Sequence, residues 1–379
     1  MDKIFDLITK EEKQQKDLVY LIPSENFVSN EVKMALASGL SNKYAEGYPG
    51  KRYYQGNKII DEIENLAIER GKKLFGVTHL NVQPYSGSPA NSAVQMALLH
   101  PGDKICGLKL SAGGHLTHGH PNITFSGKFF ESVQYDVNEE GKIDYDKLYQ
   151  LVDQNRPKLL IAGTTAYPWI LDWKKFREIA DSVGAWLMAD ISHISGLIVG
   201  GVHPDPVPFV DIITSTTHKT LRGPRGAIIG VTESGLKKNN ELNKLIDRAV
   251  FPGLQGGPHM NTIAAMAVAF EEDLQPEFKI YAEQIIKNAQ ALKKGLGDLK
   301  IFGTENHLML VDVGLEKGKE ISERLEENGI IVNANTIPHD LGSPFKPSGI
   351  RIGTPAMTTL GWKEADFENI GKKIAKLIL

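Results

Sequence analysis

Apolar residues recur along this chain with two different periods. At the start, Ile4, Leu7 and Ile8 fall at helical spacing among charged residues, so residues 1–20 are expected to form a helical arm. Residues 21–57 carry little periodicity and many unusual residues, a pattern more often functional than idle inside a compact domain. A helix is predicted from Ile59 to Phe75, with Ile60, Ile63, Leu66, Ala67 and Leu74 on one side. From about residue 80 to residue 235, short apolar runs alternate with helical patterns. The predicted strands are Lys104–Lys109, Lys158–Ala162, Ala185–Ala189, Val210–Thr214 and Ala227–Val231. The predicted helices are Asn91–Leu99, Asp144–Gln154, Trp173–Val183 and Leu236–Ile246. This alternation implies an α/β domain with a mainly parallel sheet, whose ligands bind at the carboxyl ends of the strands.

Met260 to Leu296 reads as a long helical stretch interrupted at Pro276 and leading into a smaller domain. That domain is expected to hold strands at His307–Val313, Ile330–Val332 and Ile350–Gly353, and helices at Lys317–Asn328 and Lys363–Leu377. The expected division is an arm at 1–20, a large domain at 21–262 and a small domain at 263–379.

Composition narrows the function classes. The chain has 379 residues, 41% hydrophobic and 23% charged, which suits a globular protein with a sizeable core. A net charge of −3 offers no electrostatic case for nucleic acid or an anionic membrane. The single cysteine, Cys106, excludes an intrachain disulfide and fits a reducing, cytoplasmic compartment. Met1 to Lys16 is too charged for a secretory signal, and no apolar run is long enough to span a bilayer. The 37 glycines gather in short clusters, as backbone held close to ligands requires.

The chemistry centres on Thr216-Thr217-His218-Lys219-Thr220, after one strand, and on Asp190 and His193, after another. A lysine among small hydroxyl residues at a strand end is ill suited to the solvated surface. It suits a Schiff-base lysine in a partly desolvated pocket. With Asp190 holding a protonated pyridine nitrogen, the pair would grip pyridoxal phosphate. From these residues alone, a structural Lys–Asp ion pair remains open. Ser86-Gly87-Ser88-Pro89-Ala90-Asn91 opens a helix, with Ser88 expected at the N-cap and Pro89 at the first helical position. Its free amides could hold a phosphate. Phe251 to Pro258 is a second glycine-rich loop, suited to an anion or to a turn between domains. Gly113 to His120 contains three histidines; it invites a metal reading, or an imidazole laid flat on an aromatic ring. The absence of a nearby cysteine or carboxylate favours no metal. Arg351, inside an apolar strand, needs an anionic partner: a substrate carboxylate or a structural salt bridge.

Taken together, these segments resemble the serine hydroxymethyltransferase family. The matching blocks are Leu21 to Asn26, Asn42 to Tyr54, Asn81 to Pro84, Gly113 to Gly119, Thr216 to Thr220, Phe251 to Pro258, Ser343 to Phe345 and Ser348 to Pro355, in order from about residue 15 onward. The resemblance implies a fold-type I pyridoxal-phosphate enzyme, like aspartate aminotransferase. Such an enzyme has a large domain on a mainly parallel seven-stranded sheet, a smaller C-terminal α+β domain and a homodimer with shared active sites. It implies reversible transfer of the serine hydroxymethyl carbon to tetrahydrofolate, giving glycine and methylenetetrahydrofolate. By position, Lys219 carries the cofactor, His115 stacks on its ring, Asp190 pairs with the pyridinium and His193 lies beside the ring oxygen. Ser86, Gly87 and Ser88 hold the phosphate, with Gly257 from the partner subunit. Arg351 and Ser24 hold the amino-acid carboxylate. Glu46 is the acid/base group and Tyr44 and Tyr54 close the site from the partner subunit; His218 and Tyr54 join Lys219 and Glu46 as catalytic candidates. Leu110, Gly114, Leu116, Asn335, Ser343, Pro344 and Phe345 match folate-contacting positions.

The chain departs from the family at several places. Pro23 replaces a usual alanine, Pro89 a frequent glutamine and Leu254 a common glycine. Tyr167-Pro168-Trp169-Ile170 is atypical, and the sequence stops at Leu379 without the extra terminal helix common in bacterial relatives. The rival readings are a folate-independent aldolase for threonine-like β-hydroxy amino acids, an α-methylserine-specific enzyme and a non-catalytic protein of the same fold.

Overall fold

The computed structural model describes residues 2–379. A seven-stranded sheet organises the large domain. In chain order its strands are β1 (His79–Asn81), β2 (Lys104–Leu108), β3 (Glu131–Tyr135), β4 (Leu159–Gly163), β5 (Trp186–Asp190), β6 (Ile212–Thr216) and β7 (Ala227–Val231). Their spatial order is β1-β7-β6-β5-β4-β2-β3. The strands from β6 across to β3 run parallel, and only β7 is antiparallel to its neighbours. The alternating pattern therefore led to a mainly parallel sheet, as expected. It missed β1 and β3. β1 is only three residues long, and β3 alternates partly exposed polar with buried apolar residues, so neither makes a continuous apolar run.

β4, β6 and β7 are buried along their whole length because helices cover both faces of the sheet. The helix Trp173–Val183 shows how the sequence builds such cover. Asp172 caps it by accepting from the Lys175 amide, and Gly184 ends it in the left-handed conformation at φ 71°. Trp173, Phe176, Ile179 and Ala180 form its buried stripe. Burying Phe176 alone is worth about 1.5–3 kcal/mol. The expected single helix Leu236–Ile246 is two, Glu233–Lys238 and Leu242–Arg248, because the chain turns between them, with the Glu241 amide donating to Asn239 Oδ1 at 2.9 Å.

Two cores divide the molecule. The large-domain core includes Met260, Ile263, Met266, Phe270, Phe278, Tyr281 and Ile285. The second core begins at Ala289 and Leu292 and takes in Tyr20 and Leu21 from near the start of the chain. Core membership thus passes from one to the other along the helix Pro276–Gly295, and a cut between residues 262 and 263 falls inside the preceding helix, Met260–Asp273. The small domain carries four strands, β8 (Ile301–Phe302), β9 (Leu308–Asp312), β10 (Asn333–Asn335) and β11 (Gly349–Gly353), in the order β8-β9-β11-β10. Ile330–Ile331 instead pairs in parallel with Val19–Tyr20, which tethers the arm to the small domain. The arm helix, Lys3–Asp17, buries none of its residues. No helix is long and apolar enough to cross a membrane among the described residues.

A buried charge cluster ties the irregular 44–54 segment to the large domain. Arg52 donates from Nη1 to the carbonyls of Ala45 and Gly47 at 2.8 Å each, from Nε to Asp61 at 2.8 Å, and from Nη2 to Glu64. Gln83 donates to the other Glu64 oxygen at 2.7 Å. Burial raises the Glu64 carboxyl above its usual value even against the pull of Arg52. Replacing Arg52 by Met strands Glu64 in the interior and is expected to cost about 3–5 kcal/mol. A lowered urea midpoint checks this, with Glu64→Gln in the Arg52→Met background recovering part of the loss.

Candidate active site

Asp190 is the last residue of β5, with Gly163 of β4 and Thr214 of β6 directly beside it in register. Its carboxylate is buried and accepts four hydrogen bonds. Oδ2 accepts from Asn91 Nδ2 at 2.8 Å and from His118 Nε2 at 2.9 Å. Oδ1 accepts from the Ser192 amide at 3.1 Å and the Ser192 hydroxyl at 2.6 Å. Burial pushes the carboxyl upward, but the hydrogen bonds from His118 and Ser192 outweigh it and hold it well below the usual range. His118 Nδ1 accepts from the His115 amide at 3.2 Å, so this histidine carries its proton on Nε2, toward Asp190. The pair fits only because residue 163 is glycine: a Cβ there would lie 2.7 Å from the Asp190 Cβ and 2.8 Å from His118 Cε1.

Lys219 stands three residues beyond β6. Its Nζ donates to Thr216 Oγ1 at 3.2 Å, and no carboxylate forms a salt bridge with it among the described residues. Burial lowers its pKa to about 8, with Asp190 pulling upward and the Arg351 and Arg225 charges pushing further down. A structural Lys–Asp ion pair is therefore not what the site contains: Asp190 is bound by other donors. Asn26 holds the Lys219 carbonyl at 2.8 Å and Tyr281 Oη at 2.7 Å, linking the lysine loop to the long helix between the two cores.

Lys219 and Asp190 line one cavity of about 240 Å³ together with Ser86, Gly87, Ser88, His115, Thr165 and His218. The helix at this wall runs from Gly87 to Leu98 with Ser86 at the N-cap, two residues earlier than expected. Pro89 accordingly sits in the first turn but not at its first position. Ser86 makes no side-chain cap hydrogen bond. The Gly87 and Ser88 amides find no protein acceptor among the described residues. A Cβ at residue 87 would lie 2.8 Å from Thr216 Cγ2, so glycine keeps this end of the cavity open. His115 takes a proton-free Nδ1, since the Thr117 amide donates to it at 3.2 Å. Burial, with His118 next, lowers its pKa to about 4, which leaves a neutral ring. His218 also lines the cavity, with Nδ1 unpartnered and its pKa lowered by burial to about 3.

Arg351 of β11 donates from Nε to Asn333 Oδ1 at 3.0 Å and from Nη1 to the Thr165 carbonyl at 2.7 Å. It makes no salt bridge among the described residues, so the structural ion pair left open by its position is absent. Burial lowers its pKa to about 10, still charged at neutral pH. Thr165 also donates to the Gly114 carbonyl at 2.7 Å, which joins Arg351 to the loop of Leu110, Gly114 and Leu116. On the small-domain side, Asn335 closes β10, and Ser343, Pro344 and Phe345 form an exposed turn, with Phe345 90% exposed. Asp340 braces that turn by accepting from Gly342 and twice from Ser348.

Four expected site residues gather elsewhere. Tyr44 donates to Glu46 Oε1 at 3.3 Å and packs edge-on against Tyr54 at 5.0 Å. Tyr44 and Gly257 line a separate cavity that shares no residue with the Lys219 cavity. Ser24 lines a third cavity, of about 560 Å³, which meets the Lys219 cavity at His218 and Arg225. His193 is not in the Lys219 cavity wall; it lies behind it, against His307.

Sequence reasoning assigned no role to Asn91, His118, Ser192, Thr165 or Thr216. Asn91 and His118 both lay inside segments already singled out. The available signal for Asn91 was its place one helical turn after Ser88, on the same face.

An amine at Lys219, an anionic acceptor at Asp190, a flat neutral imidazole and free helix-start amides match the aldehyde, ring nitrogen, ring face and phosphate of pyridoxal phosphate. The residues present therefore fit that group.

The serine hydroxymethyltransferase family model matches residues 1–374. A serine hydroxymethyltransferase of Rickettsia canadensis is 54% identical over 386 positions, covering 100% of this chain and 90% of the relative. One from Lactobacillus gasseri is 52% identical, covering 99% of this chain and 92% of the relative. Another, from Legionella pneumophila, is 52% identical over 100% of this chain and 91% of the relative. The chain belongs to the serine hydroxymethyltransferase family.

Proposed function

We propose that this chain moves the hydroxymethyl carbon of serine to tetrahydrofolate, giving glycine and 5,10-methylenetetrahydrofolate, with pyridoxal phosphate as cofactor. The observation that carries the reading is Arg351: a largely desolvated guanidinium with no salt-bridge partner among the described residues, whose charge reaches Lys219. Such a group fits an amino-acid carboxylate in a bidentate fork.

Bound at Lys219, pyridoxal phosphate supplies an electron sink for the charge left on the substrate Cα when its carbon–carbon bond breaks. Asp190, kept ionised by its donors, holds the ring nitrogen protonated. Neutral His115, in the same cavity wall, would stack on the ring without adding a competing positive charge. Arg351 fixes the carboxylate and so the orientation of the bond to be broken. Ser24 reaches the carboxylate from the adjoining cavity. Glu46 holds or delivers the proton at the serine hydroxyl. The loop at Leu110, Gly114 and Leu116, Asn335 and the Ser343–Phe345 turn take the folate.

Glu46, Tyr44, Tyr54 and Gly257 form their own group away from Lys219 within one chain. This separation supports a homodimer in which each subunit completes its partner's site. The cytoplasm is the compartment in keeping with a single, buried, unpaired Cys106.

Omitting tetrahydrofolate should abolish serine cleavage; unchanged turnover of serine without it would turn the assignment to a folate-independent aldolase. Arg351→Ala should raise the serine KM by roughly a hundredfold, the loss of about 3 kcal/mol of charge-assisted hydrogen bonding. In cofactor-free protein, the rate at which added pyridoxal phosphate develops its visible absorbance should rise with pH around 8, as the Lys219 amine loses its proton. The signal should vanish in Lys219→Ala; a midpoint near that of an ordinary lysine would show that burial does not tune the amine. Mixed and re-associated Lys219→Ala and Glu46→Gln subunits should recover about a quarter of parental turnover if sites are shared between subunits. They recover none if Glu46 serves its own chain.

A further inference from the structure

A buried contact between two histidines crosses from one core to the other, behind the Lys219 cavity. His193 follows β5 in the large domain, and His307 precedes β9 in the small one. Their nitrogens Nδ1 and Nε2 lie 3.4 Å apart, with ring centroids at 5.6 Å and planes inclined by 29°. Exposure is 3% for His193 and 0% for His307. The segment carrying His307 is tied down on both sides. Asn306 Nδ2 donates to the Tyr167 carbonyl at 2.9 Å, the Glu305 amide to the Pro168 carbonyl at 2.7 Å, and the Thr354 amide to the His307 carbonyl at 3.1 Å. The atypical Tyr167–Ile170 stretch is thus the strap that holds His307 in place.

A hydrogen bond between two neutral imidazoles needs a proton on one facing nitrogen and a lone pair on the other. His307 Nδ1 decides which. It is buried and without a hydrogen-bond partner among the described residues. If His193 donated, neutral His307 would have to carry its own proton on Nδ1, a buried N–H with no acceptor. Orphaned buried donors are rarer than orphaned acceptors and cost about 1–3 kcal/mol. If His307 Nε2 donates, its Nδ1 is only a bare lone pair, and neutral His193 must carry its remaining proton on Nε2. Burial keeps both rings neutral, and the charges of Lys219 and Arg351 act in the same direction on each.

We propose that His307 is a positioning residue that fixes the His193 proton on Nε2, so that His193 is a hydrogen-bond donor on its side away from the small domain. The proposal deepens the functional reading and rests on it: His193 does not itself line the Lys219 cavity, but Ser192 beside it does, and an N–H at this place would serve the ring oxygen of a cofactor held by Lys219. It also makes the donor dependent on the packing of the two domains, since the proton is placed by a side chain of the other core.

Histidine-selective 15N labelling of the holoenzyme without substrate tests this, with His193 and His307 assigned from single variants among the 11 histidines. The expected spectrum has both rings neutral and protonated on Nε2 from pH 6 to 8. His307→Leu should let Nδ1 of His193 gain proton occupancy and lower kcat by about tenfold, with serine KM much less affected. His307→Gln keeps an N–H near the Nε2 position and should restore both. A His193 protonated on Nδ1 in the parent, or unchanged His193 shifts in His307→Leu, overturns the proposal. Should the leucine variant fail to fold, the parent spectrum and the glutamine variant still decide it. A correct tautomer in a protein that cleaves no serine would refute the functional reading and leave this one standing.

Discussion

The buried carboxylate of Asp190 is the constraint around which the site is built. A charge placed at the end of a central strand must be matched by donors or it is expelled as its protonated form. Here four donor groups come from three places: the helix after the Ser86 loop, the histidine loop after β2, and the backbone and hydroxyl of Ser192. Each is held in turn. Asn91 also bonds Thr117 and Thr214, and His118 is oriented by the His115 amide. The same bonds that keep Asp190 ionised therefore fix the cavity wall and, with the His115 amide, the tautomer of His118.

Around that anion the cationic groups are arranged at low dielectric. Lys219 and Arg351 are both largely desolvated and form no salt bridge among the described residues; burial lowers the basicity of each, and the Arg351 charge lowers that of Lys219 further. For Lys219 this makes the amine available near neutral pH. For Arg351, whose pKa starts far higher, the charge survives and waits for an external anion. One environment thus prepares a nucleophile and an anion clamp, and the difference lies in their intrinsic basicities.

Two of the departures from the family pattern, Pro23 and the Tyr167–Ile170 stretch, are absorbed into packing. Pro23 lies against Gly353, where a Cβ would meet its ring at 2.8 Å. Tyr167 to Ile170 braces the small domain through Glu305 and Asn306. Leu254 remains 40% exposed in the turn after the helix Leu242–Arg248. None of these residues lines the cavity shared by Asp190 and Lys219.

Much of the fold was legible in the sequence because its signals are local. Alternation of short apolar runs with amphipathic stretches specifies strand or helix within a few residues, and it located five of the seven strands of the large sheet. Local chemistry likewise singled out the lysine, the aspartate and the arginine as candidates, and the family resemblance supplied their expected roles. The sequence could not say which side chains meet. His118 reaches Asp190 across 72 residues, His307 reaches His193 across 114, and Arg351 reaches Thr165 across 186. Those pairings follow from strand order and register, which depend on contacts between segments and leave no periodic trace in any one of them. The tertiary structure therefore decided that Asp190 is bound by Asn91 and His118 and not by Lys219, that Arg351 forms no salt bridge among the described residues, and that Glu46 stands apart from the lysine it is expected to serve.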